Sequence, residues 1–131
     1  MKLVIRFLVL SFGIYSTYAN AFGYSEDYET CMKAANNQSQ NIQLCQTKEL
    51  KYQANRLDKI FKETLSRSAA SEQVVIKKIN AQWQGQRDLA CGLKAKNYKK
   101  LNIANLGCAL QMTSSRADML EVQLTNKKIN R

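Results

Sequence analysis

The sequence predicts an all-α domain, a small bundle of about four helices stapled by two disulfides. Three observations predict it. Proline is absent and glycine occurs only five times, so little interrupts a helix. Apolar residues recur every three or four positions, and the alternation of a half-buried strand never appears. Four cysteines, Cys31, Cys45, Cys91 and Cys108, stand in a chain that opens with an export signal.

That signal comes first in the chain. Lys2 and Arg6 precede an apolar run to Tyr18, and Ala19-Asn20-Ala21 offers the small side chains that signal peptidase requires. Residues 1–21 therefore read as a signal peptide cleaved after Ala21, and residues 22–131 as one domain. The run falls short of the roughly 20 apolar residues that span a bilayer, so no membrane anchor is expected after cleavage. Removing 21 of 131 residues leaves 110. Lys2 and Arg6 go with them, so the net charge falls from +10 to +8.

The first helix is expected from Ser25, an N-cap followed by Glu26 and Asp27, with Tyr24, Tyr28, Cys31, Met32 and Ala35 on one side. Asn36 to Asn41 reads as a polar turn. A second helix runs to about Ser68, with Leu50, Ala54, Leu57, Phe61 and Leu65 inward and Lys48, Lys51, Arg56, Lys59, Lys62 and Arg67 on a solvated face. A third starts near Ser71, carries Val75, Ile76, Ile79 and Trp83, and stops at Gly92, which suits a left-handed cap. Trp83, Arg87 and Cys91 are successive i,i+4 neighbours on it, and the other helices are expected to pack around this stretch. Arg87 on such a stripe should be ion-paired, with Glu49, Asp58 or a carboxylate of the last helix as partner. The fourth helix begins near Asn105, turns Cys108 or Ala109, Thr113, Ala117, Leu120 and Leu124 inward, and frays after Thr125.

The cysteine gaps of 14, 46 and 17 residues lack the close pairing from which four-cysteine zinc sites are built. Of three possible connectivities, Cys31 to Cys45 and Cys91 to Cys108 fits best, because each bridge joins the end of one helix to the start of the next. Each closes a short loop, worth about 3 kcal/mol in the chain-entropy model.

The chain contains no histidine, which removes Ser-His and Cys-His dyads, histidine bases and the commonest metal ligand. There is no glycine-rich phosphate loop, and the carboxylates lie among arginines and lysines as in ion pairs. Neither an enzyme nor a cofactor or metal is expected. The positive balance suits an anionic partner, and export makes an acidic protein or an anionic envelope polymer the target in place of nucleic acid. The candidate contact surface is the stretch between the last two helices, where Lys94, Lys96, Lys99 and Lys100 surround Tyr98. The acidic cluster Glu26, Asp27 and Glu29 is a second candidate, although acidic residues also belong at a helix start for their own sake.

Two spaced motifs carry a family resemblance. One is Trp83, Arg87-Asp88, Cys91; the other is Cys108, Thr113, Arg116, Leu120. Upstream, Tyr28, Cys31, Cys45 and Glu49 agree more loosely. Together they resemble the LprI-like lysozyme inhibitors, small secreted bacterial proteins, over about residues 24 to 124. Asp58, Phe61 and Asn80 depart from that pattern. The resemblance implies a disulfide-bonded helical domain of the periplasm or the medium. Its expected partner is a protein, a lysozyme or other peptidoglycan hydrolase, inhibited by occlusion. A binding module for anionic envelope polymers is the alternative.

Overall fold

A computed structural model describes residues 23–93 and 101–129, with side chains at 128 and 129 excepted. The expected signal peptide, residues 1–21, and the candidate contact residues Lys94, Lys96, Tyr98, Lys99 and Lys100 lie outside the described residues. Within them are four helices, α1 (Glu26–Ala34), α2 (Ser39–Ser66), α3 (Ala70–Ala90) and α4 (Ile103–Ile129).

Ser25 caps α1 as expected, its hydroxyl accepting the Tyr28 N–H at 3.2 Å. The turn that follows is shorter than expected. Asn36 and Asn37 both adopt left-handed backbone, at φ 50° and 59°, which asparagine tolerates better than most residues. Two such residues reverse the chain, so Ser39 to Asn41 already belong to α2. At 28 residues α2 is about 42 Å long. The start of α3 is held by Glu72, whose carboxylate accepts the Ala69 N–H at 3.2 Å. Its end turns through Gly92 at φ 67°. There Asn105 Nδ2 donates to the Cys91 carbonyl at 2.8 Å. At the start of α4, Asn102 Oδ1 accepts the Asn105 N–H at 2.8 Å. Helix α4 continues four residues beyond Thr125.

The core lies between α2 and α4, which run parallel. Gln43 donates to the Leu101 carbonyl, and Arg56, further along α2, meets Asp118 and Glu121, further along α4. Ala109, Thr113 and Ala117 of α4 are completely buried at i, i+4 and i+8. That ridge of small side chains lets α2 approach closely. Gly107 extends it, since a Cβ there would come within 3.3 Å of Gln46 Nε2. Leu106 and Leu110 flank the ridge at the upper end with Leu50, Leu93 and Leu101. Leu57, Ile60, Leu120 and Leu124 close the lower end.

The expectation that the other helices pack around Trp83 is corrected by this arrangement. Helix α3 has no fully buried residue, Trp83 is half-buried, and Val75 and Ile79 are exposed. The deep positions are already filled by α2 and α4, so α3 lies against them as an antiparallel outer helix. Gly85 sits on its outer side, and a Cβ there would meet nothing within 4 Å. Gly85→Ala is therefore expected to raise stability by about 1 kcal/mol, the helix-propensity difference, read from the urea midpoint.

Along α2 the buried stripe is more polar than apolar periodicity suggested. Ala54 is exposed and Phe61 and Leu65 are half-buried, while Gln46, Glu49 and Gln53 are buried. Glu49 accepts from Ser25 N at 2.8 Å, Ser25 Oγ at 2.5 Å and Gln53 Nε2 at 2.7 Å. Gln53 also donates to the Gly23 carbonyl and accepts from Arg56 Nη1. Arg56 then pairs with Asp118 at 2.8 Å and with Glu121, and Asp118 accepts the Gly23 N–H. Burial alone would lower the Arg56 pKa, but pairing with Glu121 and Asp118 prevails and raises it above the usual arginine value. Arg56 is thus part of a polar spine joining the chain start, α2 and α4, and not of a solvated face.

Candidate functional site

Both bridges form as expected. Cys31 and Cys45 join α1 to α2 at a Cα separation of 5.7 Å, and Cys91 and Cys108 join the end of α3 to α4 at 5.5 Å. Among the described residues no cysteine is free, and no group of His, Cys, Asp and Glu is placed to hold a metal.

The second bridge sets the register of α3 against α4 and brings the two sequence motifs into one cluster. Arg87 reaches across from α3, its Nη1 donating to Thr113 Oγ1 at 3.3 Å, while Thr113 donates to the Ala109 carbonyl at 2.7 Å. Its Nε and Nη2 both donate to Asp88 Oδ1, at 2.9 and 2.7 Å. The partner of Arg87 is therefore its sequence neighbour, and neither Glu49, Asp58 nor a carboxylate of α4. Glu49 is engaged by Ser25 and Gln53, Asp58 pairs with Lys62, and the α4 carboxylates serve Arg56. Two guanidinium groups lie over the Trp83 ring, Arg87 at 5.4 Å and Arg116 at 5.7 Å from its centroid. Trp83, Arg87 and Cys91 recur every four residues along α3, and Arg116, Thr113 and Cys108 follow at steps of three and five along antiparallel α4, so the two sets meet in order.

The Arg87–Asp88 pair is not deeply buried, since the Asp88 side chain is 46 % exposed. Arg87→Ala leaves that carboxylate in water and Thr113 still bonded to Ala109. Its cost is therefore expected to be about 1 kcal/mol, not the several of a buried pair. The check is a thermal melt, with a fall of about 4 °C expected.

Among the described residues two surfaces remain open to a partner. The first flanks the motif cluster along α3 and α4, where Ile79 and Met119 are exposed beside Trp83 and Arg116. The second is a cleft of about 360 Å³ between α1 and α2, lined by Glu26, Asp27, Tyr28, Lys48 and Tyr52. Burial raises the Tyr28 hydroxyl above its usual pKa, with Tyr24 and Glu49 adding to the shift. Glu26 and Asp27 thus edge a real depression, whereas Glu49 behind them is consumed by the fold. The segment 94–100 lies outside the described residues, and its two flanking residues are described. Leu93 and Leu101 are buried in the same cluster, next to Cys91.

Sequence reasoning found the motif residues but missed Arg56, Gln53 and Asn80 as buried or groove-lining groups. Glu49, Gln53 and Arg56 recur at i, i+4 and i+7, a polar stripe of helical period that could have been read as an inward face.

These features define a class, the small all-α domain stapled by two disulfides. The chain belongs to the LprI lysozyme inhibitor family: residues 31–120, 90 of its 131, match the family described as Lysozyme inhibitor LprI. No curated protein and no solved structure matches it. The matched span runs from Cys31 to Leu120 and so contains both bridges and both motifs.

Proposed function

We propose that the protein is exported, loses residues 1–21, and binds a lysozyme-like wall hydrolase in the periplasm or outside the cell, blocking it by occlusion without chemistry of its own. Membership of a lysozyme inhibitor family carries this reading. Two disulfides suit an oxidising compartment, and no described helix is long and apolar enough to cross a membrane.

The proposed contact is the segment with Lys94, Lys96, Tyr98, Lys99 and Lys100. Its ends are fixed on the core side by buried Leu93 and Leu101, by the Gln43 bond to the Leu101 carbonyl, and by the Cys91–Cys108 bridge. Anchored ends lower the ordering cost of binding. Hydrolases that cut glycans carry paired carboxylates, which give lysines and a tyrosine a local target. Beyond a Debye length of about 8 Å in physiological salt, repulsion between two basic proteins is screened, so the local match decides.

The test is calorimetric titration of lysozymes with the mature protein, repeated for Tyr98→Ala and for a variant with the four lysines neutralised. A saturable one-to-one complex that is weakened in both variants and persists at raised salt is expected. Binding that collapses with salt, and that isolated wall polymer reproduces, would transfer the function to anionic envelope polymers.

A further inference from the structure

Four arginines have described side chains, and three of them are neutralised. Arg56 pairs with Asp118 and Glu121, Arg67 with Glu63, and Arg87 with Asp88. Arg116 has no carboxylate partner among the described residues, although it projects between α3 and α4 beside Trp83. Its Nε is sealed from solvent and bonded to nothing, and Asn80 Oδ1, on the same groove, is likewise sealed without a donor. Desolvation, with no offsetting charge, pushes the Arg116 guanidinium below the usual arginine value. The other described arginines are paired, and this guanidinium stands without an acid beside a buried acceptor that is also unmet.

The surroundings of that place are mostly apolar, with Thr64, Gln111, Ser115, Gln123 and Lys127 interspersed. A depression of about 250 Å³ is lined by Phe61 of α2, Ile76 and Ile79 of α3, and Met119 and Leu120 of α4. A second, of about 510 Å³, is walled by Trp83, Met112 and Met119. The two share Arg116 and Met119, so the guanidinium stands where they adjoin. Ile79 is 48 % and Met119 42 % exposed, which leaves apolar area for a partner to cover.

We propose that this groove seats an aspartate or glutamate side chain of the hydrolase, flanked by apolar residues, with Arg116 as its counter-ion and Trp83 as the flat wall beneath. The assignment rests on the function proposed above and adds a second contact to it. Charge complementarity selects a carboxylate, and the planar guanidinium fork suits two oxygens. A carboxylate carried between apolar side chains of a protein would cover exposed Ile79 and Met119 as well as meet the guanidinium, whereas a hydrated polysaccharide would set hydroxyl groups against those two side chains.

Trp83 is the only tryptophan in the chain, so a fluorotryptophan label gives one fluorine NMR resonance that reports on the groove. The first titration needs no hydrolase. Acetyl-Leu-Glu-Leu-amide is expected to shift the resonance saturably in the millimolar range, its Gln counterpart not, and Arg116→Gln should abolish the response with the melting temperature unchanged. Equal responses to both peptides, or none to either, overturn the seat whatever the protein inhibits. The second titration uses a lysozyme that the protein inhibits. Arg116→Gln should weaken that complex about ten-fold or more, and Arg116→Lys less. Undiminished affinity and an unmoved resonance overturn the contact while leaving the inhibitor reading intact. If no lysozyme is bound at all, that reading fails and the hydrolase is lost as occupant, with the peptide result still deciding the seat. A resonance that moves with protein concentration alone assigns the groove to a second copy of the chain and overturns the proposal. Should Arg116→Gln not fold, the Glu and Gln peptides compared on the unaltered protein give the same decision.

Discussion

Replacing Cys91 and Cys108 together by alanine is expected to lower stability by about 3 to 4 kcal/mol and the melting temperature by more than about 10 °C. The bridge closes a loop of 17 residues in the unfolded chain, and alanine at both positions avoids both a stray thiol and a buried hydroxyl. Cys91 is 3 % exposed within the leucine cluster of the upper core, so lost packing adds to lost cross-linking. The consequence should be local as well as global. Helix α3 has no fully buried residue, and the bridge is the covalent tie that holds its end to α4. Native-state hydrogen exchange should therefore show α3 losing protection first, with α2 and α4 retaining theirs. A melting temperature within experimental error of the parent would refute this account of how α3 is held.

The second large effect is at Glu49. Its carboxylate is buried and takes three hydrogen bonds, two from Ser25 and one from Gln53. Glu49→Ala strands those donors and opens a cavity beside α1, for an expected loss of about 3 kcal/mol in urea unfolding. Glu49→Gln keeps the volume but sets an amide N–H₂ among donors, so an intermediate loss is expected. A loss below about 1 kcal/mol for the alanine variant would mean that water reaches Ser25 and Gln53 in its place. Because Ser25 also caps α1, the same variant should loosen that helix and the cleft beside it.

The helices themselves were legible from the amino acids. Ser25, Gly92 and the recurrence of Ala109, Thr113, Ala117, Leu120 and Leu124 mark caps and inner faces by local chemistry, and local chemistry does not depend on what lies across the interface. The bridges were legible for the same reason, since short spacing between successive helices allows few other pairings. Which helices form the core was not. Trp83 has the bulkiest side chain and so favours a central place for α3, yet small residues allowed α2 and α4 to approach and left the indole at the rim. Burial of Gln53 and Glu49 was equally hidden, because a polar side chain is tolerated inside only once its partners are in place, and Gly23, Ser25, Arg56 and Asp118 come from three parts of the chain. Arg87 is ion-paired as expected, but with Asp88 and with none of the partners expected for it. A charged side chain reaches several carboxylates equally well on paper, and the fold had committed the distant ones elsewhere. Of the candidate site, Trp83, Arg116 and the segment 94–100 were in view from the start, and its buried anchors Leu93 and Leu101 were not. The unpaired state of Arg116 emerged only when every other described arginine had found its acid.

The central claim is that this family member blocks a wall hydrolase by binding it, and the most direct measurement is the clearing rate of a turbid bacterial wall suspension. Animal, bacterial and bacteriophage lysozymes would each be assayed with increasing mature protein. The account predicts that lysis by at least one of them slows saturably, with an endpoint near equimolar inhibitor, and that Tyr98→Ala moves the curve to higher concentration. Lysis unaffected at any ratio for every lysozyme, from protein shown to be folded and fully bridged, would contradict it.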